Sequence, residues 1–185
     1  MRTFAATLLM VCSVIVGPGA QQDVRVLATA KTSTMEHEMN DAAEAGFRFA
    51  GVMGGDTAFG GSEVVVIMTR TSTQPHVQYK LLATGKTSTM EKELQQAGDA
   101  GFEYRGQTVF KSTFGGKEVV AILERDKSVE PVRYSYRVVA TSKTSTMEKE
   151  LRDSTAAGYE FVGMTVGKTL IGGEEIVSIL RRKAE

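Results

Sequence analysis

Apolar and polar residues alternate through Val24-Arg25-Val26-Leu27-Ala28-Thr29, with Val24, Val26 and Ala28 on one side and Arg25 on the other. A period of two predicts a half-buried β-strand. The spacing then changes. Met35 and Met39 lie four apart, on one face of a predicted helix, and the pattern stops at Gly46. Glycine is the residue that most readily closes a helix in the left-handed conformation. Phe47 and Phe49 stand two apart and predict a second strand with both rings on one face. The apolar run Val64–Met68 predicts a third, ending at Arg70.

This order occurs three times. Val24–Arg70, Tyr79–Arg125 and Tyr136–Arg182 align without a gap, which marks internal duplication. Met90 with Leu94 and Met147 with Leu151 repeat the helical spacing. Phe102 with Tyr104 and Tyr159 with Phe161 repeat the aromatic pair, and Gly101 and Gly158 repeat the helix stop. Gly60-Gly61, Gly115-Gly116 and Gly172-Gly173 sit between the second and third strands, where a tight hairpin turn needs positive φ. The repeats occupy residues 21–70, 79–125 and 136–185. The linkers 71–78 and 126–135 are polar and carry Pro75 and Pro131.

The expected class is α+β, three tandem β-α-β-β repeats. One unit without a disulfide or metal buries too little surface to be comfortable alone. The three are therefore expected to pack as one compact pseudo-threefold body with helices outside the sheets; three independent beads are the alternative.

The hexapeptide Lys-Thr-Ser-Thr-Met-Glu opens each helix, at Lys31–Glu36, Lys86–Glu91 and Lys143–Glu148. Ser33 with Glu36, Ser88 with Glu91 and Ser145 with Glu148 have capping-box spacing, in which serine and glutamate satisfy first-turn amides reciprocally. Capping does not account for the lysine, because a helix N-terminus is partly positive and prefers anions. Backbone amides, hydroxyls and a lysine together suit an anion. The candidate ligand residues are Lys31, Thr32, Ser33 and Thr34, Lys86, Thr87, Ser88 and Thr89, and Lys143, Thr144, Ser145 and Thr146. The plainer readings are a lysine paired with Glu63, Glu118 or Glu175, one lying over a strand, or identity left by recent duplication.

Lysine and arginine total 22, aspartate and glutamate total 22, and the pI is about 6.8. That balance argues against a nucleic-acid partner. Residues 1–20 read as a cleaved signal peptide: Arg2, an apolar stretch Phe4–Val16, then Gly17-Pro18-Gly19-Ala20. The stretch is too short to span a bilayer, so no transmembrane segment is expected in the mature chain. The expected location is periplasmic or secreted, with a lipid anchor at Cys12 as the rival. Cys12 is the single cysteine, and the two histidines, His37 and His76, do not recur between repeats. No metal or cofactor is expected. A nucleophile needs a base and an orienting group, and no such set recurs, so no catalytic residue is assigned. Glu36/Glu38, Glu91/Glu93 and Glu148/Glu150 are two apart on a helix and do not face each other.

The run Glu150-Leu151 through Gly158-Tyr159-Glu160-Phe161 to Leu180-Arg181-Arg182 resembles a family of small bacterial domains of unknown function. That family commonly has tryptophan where this chain has Phe47, Phe102 or Tyr159. The resemblance implies a β-α-β-β fold and brings no activity. The functional expectation is an exported, non-enzymatic binding or interaction module whose partner is a small anion or a protein. The alternatives are an enzyme with a lysine-containing site in inter-repeat clefts, or a purely structural protein-docking module.

Overall fold

The computed structural model describes residues 23–56, 61–70, 76–111, 117–168 and 174–184. The signal segment, Cys12, Gly60 and the Gly115-Gly116 and Gly172-Gly173 pairs lie outside the described residues. The first unit is β1 (Asp23–Thr29), α1 (Thr32–Glu44), β2 (Phe47–Asp56) and β3 (Ser62–Arg70). The second is β4 (Val77–Thr84), α2 (Thr87–Asp99), β5 (Glu103–Lys111) and β6 (Lys117–Asp126). The third is β7 (Tyr134–Thr141), α3 (Thr144–Ala156), β8 (Glu160–Lys168) and β9 (Glu174–Lys183). The protein is thus α+β, built of three tandem β-α-β-β units.

Each unit folds its strands into an antiparallel sheet with the third strand in the centre: β1-β3-β2, β4-β6-β5 and β7-β9-β8. The most apolar strand takes the position with neighbours on both sides. The register slips by one residue between Phe49 and Gly51, between Tyr104 and Gly106, and between Phe161 and Gly163. A bulge of this kind bends the strand and re-aims its side chains.

The helices end as their glycines predict, with Gly46 at φ 87°, Gly101 at 82° and Gly158 at 82°. Phe102 N–H donates to Ala97 O and Tyr159 N–H to Ser154 O, closing the last turns. The aromatic after each glycine lies between two cations. Phe47 sits under Arg25 and Arg70, Phe102 under Lys80 and Arg125, and Tyr159 under Arg137 and Arg182. Arg125 and Arg182 also donate to the carbonyls of Ala100 and Ala157 at the helix ends. The recurring glycine-aromatic-arginine pattern is therefore a lock within each unit.

The units stack in series. Met35, Met39 and Ala42 of α1 share one buried cluster with Val64, Val66 and Met68 of their own sheet and with Tyr79, Val120 and Ile122 of the next. Met90, Leu94 and Ala97 of α2 share a second with Leu82, Val119 and Leu123 and with Tyr136, Val177 and Ile179 of the third sheet. The middle sheet is buried on both faces. Helices α1 and α2 lie between successive sheets, and α3 alone packs on one sheet only, with Met147 and Ser154 as its buried residues. Among the described residues extensive packing joins first unit to second and second to third: α1 to β4, α2 to β7, β2 to β5 and β5 to β8. Equal packing around a threefold axis would also require the third unit on the first. The physical reason for the series is that each inner helix has two uses, an apolar face shared by its own sheet and the next and a polar flank that bonds the edge strand of the next.

Candidate functional site

The Lys-Thr-Ser-Thr stretches adopt one conformation three times. Each helix begins at the first threonine, and the lysine before it is the extended N-cap residue, with φ between −127° and −121° and no side-chain capping bond. The capping box expected from Ser33, Ser88 and Ser145 is therefore not formed. A residue outside the hexapeptide takes over. Thr29, Thr84 and Thr141 hydroxyls accept from the N–H of Lys31, Lys86 and Lys143 at 3.2, 3.1 and 3.1 Å. With this threonine turn the helix starts two residues earlier than it would with the serine as N-cap. Met35, Met90 and Met147 are buried, as their spacing predicts.

Lys31, Lys86 and Lys143 are exposed, as are Ser33, Ser88 and Ser145, and Thr34 and Thr144 with Thr146; Thr32, Thr87 and Thr89 are half-buried. Among the described residues none of the three lysines forms an ion pair. Helices α1 and α2 stand on opposite faces of the middle sheet, so the first two turns belong to different layers.

The glutamate that ends each hexapeptide works at the junction between units. Glu36 Oε2 accepts the N–H of Leu81 at 2.8 Å, and Glu91 Oε1 accepts that of Val138 at 3.3 Å. One turn along, Asn40 bonds both backbone groups of Tyr79, donating to the carbonyl at 3.1 Å and accepting the N–H at 2.9 Å. Gln95 does the same in α2, accepting from Tyr136 N–H at 3.0 Å and donating to Tyr134 O at 3.3 Å. Strands β4 and β7 are sheet edges with unpaired backbone groups, and a carboxylate with a carboxamide one turn apart satisfies them as a neighbouring strand would.

Two further contacts complete each junction. The Tyr79 hydroxyl accepts Phe49 N–H at 2.8 Å, and the Tyr136 hydroxyl accepts Tyr104 N–H at 2.7 Å. The Phe49 ring lies against Gly106, where an added Cβ would stand 3.1 Å from Cζ, and the Tyr104 ring lies against Gly163 in the same way. Only glycine leaves room for the ring.

A charge network crosses the same junctions. Glu124 is 2 % exposed. It accepts from Arg48 Nε at 3.1 Å, from Arg105 Nη2 at 2.8 Å and from the Tyr79 hydroxyl at 2.8 Å. Burial pushes the Glu124 carboxyl up, but the Arg48 hydrogen bond, the Arg105 charge and the Tyr79 bond outweigh it, and it is held below the usual carboxylate range. Burial and the Glu124 charge push the Tyr79 hydroxyl well up, so it stays protonated as a donor. At the next junction the signs are exchanged: Arg181 bonds Glu103 at 2.6 Å and Glu160 at 2.7 Å. Arg48 and Glu103 are equivalent positions, as are Glu124 and Arg181. Pairing the wrong units would bring like charges together, so the network specifies the order of units.

A cleft of about 110 Å³ opens beside this network, bounded by Arg48, Arg105, Glu124, Pro131 and Tyr134. It is smaller than the several hundred Å³ usual for a small-molecule site, and none of its walls comes from a Lys-Thr-Ser-Thr stretch. Among the described residues no group of three or more histidine, cysteine or carboxylate side chains is placed to hold a metal. Nor, among the described residues, is any helix long and apolar enough to cross a membrane.

Among the described residues nothing covers the junction surfaces at the two ends of the stack. On the first sheet Val24 is 52 % exposed, where its equivalent in the second unit, Tyr79, is 1 %, and Val26 and Met53 are 60 % and 62 % exposed. On the last, Phe161 is 49 % exposed and is joined by Met164 and Val166. No protein-family model, curated protein or solved structure matches the chain.

The residues that build these surfaces, Asn40, Gln95, Tyr79, Tyr136, Gly106, Gly163, Arg48 and Glu124, are absent from the sequence-derived candidates. A signal was available. At aligned positions the first repeat has Val24 where the others have tyrosine, and the last has Arg152 where the others have Asn40 and Gln95. Positions at which a terminal repeat departs from the inner pattern mark the inter-unit contacts.

Proposed function

We propose that this protein is an exported, non-enzymatic interaction module that docks a protein partner through the end faces of its three-unit stack. The observation that carries this is the outer face of the first sheet, where Val24, Val26 and Met53 are more than half exposed, whereas Tyr79 and Tyr136, the counterparts of Val24, are buried and Leu81 and Val138, those of Val26, pack against the core. Contiguous exposed apolar residues mark protein contact sites more often than chance exposure. Export rests on residues 1–20, whose charged start, apolar run and small-residue exit have the layout of a cleaved signal.

The test is site-specific photo-cross-linking in the producing cell. A photoreactive side chain at position 26 is expected to give discrete protein adducts, and one at Lys92, exposed on α2, is expected to give none. Absence of any adduct at position 26, or the same adducts at both positions, would sink the proposal.

A further inference from the structure

We infer that the occupant of the end faces is a second copy of this chain, added head to tail, so that the α3 and β8 surface of one copy seats on the β1 and β3 surface of the next. This rests on the docking reading above and supplies its partner.

The argument is continuity with an interface the chain already builds twice. At each internal junction the earlier unit supplies a helix glutamate and a β-strand aromatic. The later unit supplies an apolar strand edge and a bulge glycine. Glu36 with Phe49 meets β4 and Gly106; Glu91 with Tyr104 meets β7 and Gly163. The ends of the chain carry one half of this set each. The last unit offers Glu148 and the half-exposed Phe161, with Met164 and Val166 beside it. The first unit offers the edge strand β1, with Val24 and Val26, and Gly51, beside whose Cβ position nothing lies within 4 Å. Gly51 is the open counterpart of Gly106 and Gly163, and Phe161 is the ring without a glycine.

Charge permits the contact. The position that pairs Arg48 with Glu124 and Glu103 with Arg181 would set Glu160 opposite Thr69, which brings no like charges together. The new junction is weaker than the internal ones for two stated reasons. Arg152 replaces the carboxamide that bonds the strand edge and is already engaged with Glu148 at 2.7 Å. Val24 replaces the tyrosine whose hydroxyl would accept Phe161 N–H. Association is therefore reversible and concentration-dependent. The interface is heterologous, with different surfaces on the two partners, so it leaves one free face at each end of the pair.

That asymmetry supplies the test. Sedimentation velocity of the purified protein over a wide concentration range is expected to show mass rising with concentration. Val26→Asp spoils the first-unit face and Phe161→Asp the last-unit face, and each carries a carboxylate into an apolar contact. Each alone is expected to weaken association about a hundredfold. Mixed together they retain one intact face of each kind, so the mixture is expected to form a dimer and nothing larger. Circular dichroism of both variants checks that they are folded, and Gly51→Phe, which fills the open glycine position, gives an independent block. A protein that stays monomeric throughout overturns the second-copy inference and leaves adducts at position 26 to name another partner or a segment of the chain itself. Association lost in one variant only, or a mixture that fails to pair, overturns the head-to-tail geometry.

Discussion

Glu36, Glu91 and Glu148 close identical hexapeptides, and replacing each by alanine separates two accounts of them. If the glutamate served the start of its own helix, the three losses would be equal. The structure makes them unequal. Glu36 is half-buried and accepts Leu81 N–H at 2.8 Å. A hydrogen bond to an ionised group contributes about 1.5–3 kcal/mol, and partial exposure favours the lower end, so Glu36→Ala is expected to cost about 1.5 kcal/mol. Glu91 is exposed and its bond to Val138 is longer, 3.3 Å, so about 0.5–1 kcal/mol is expected. Among the described residues Glu148 makes only the exposed pair with Arg152, side chains 72 % and 76 % exposed, so about 0.3–0.5 kcal/mol is expected. No acidic residue lies in the first helical turn, so a helix-dipole contribution does not mask the difference. Urea denaturation with linear extrapolation measures all three, and thermal melts should show Glu36→Ala lowered by about 3–6 °C. Glu36→Gln, which keeps an acceptor oxygen, is expected to recover most of the loss. Three equal losses would refute the junction role, as would a larger loss for Glu148 than for Glu36.

Two other outcomes follow from the same contacts. Gly106→Leu forces the Phe49 ring away from the bulge and is expected to cost about 1–3 kcal/mol by overpacking, whereas Gly51→Leu faces open space and is expected to change stability by less than about 0.5 kcal/mol when measured at low protein concentration; equal effects in denaturation would contradict the stacking arrangement. Glu124 is held below the usual carboxylate range in the folded protein, so its contribution is complete above the unfolded carboxylate value and is lost as pH falls through the lower folded one. Glu124→Gln is therefore expected to flatten the fall of stability below about pH 4, and identical acid limbs for variant and parent would rule the linkage out.

Much of the unit was legible because its causes are local. The alternation around Val24, the four-residue step from Met35 to Met39, the stop at Gly46 and the aromatic that follows each concern residues within a turn or a strand of one another. Backbone sterics and side-chain period act over that range, so sequence alone determined the β-α-β-β unit and its threefold repetition. The capping box was misread for an equally physical reason. Its spacing was present, but Thr29, Thr84 and Thr141 compete for the same turn, and the edge strand of the next unit competes for the glutamate. The candidate interaction surface was hardly legible at all. Glu36 meets Leu81, Arg48 meets Glu124 and Phe49 meets Gly106 only after two sheets have stacked, and no periodicity in a single strand or helix encodes which edge a neighbouring unit will cover. Sequence decided what each unit is; the tertiary structure decided that the units stand in series, that α1 and α2 are shared between sheets, and that the two ends keep complementary faces, because those choices are made by packing between residues far apart in the chain.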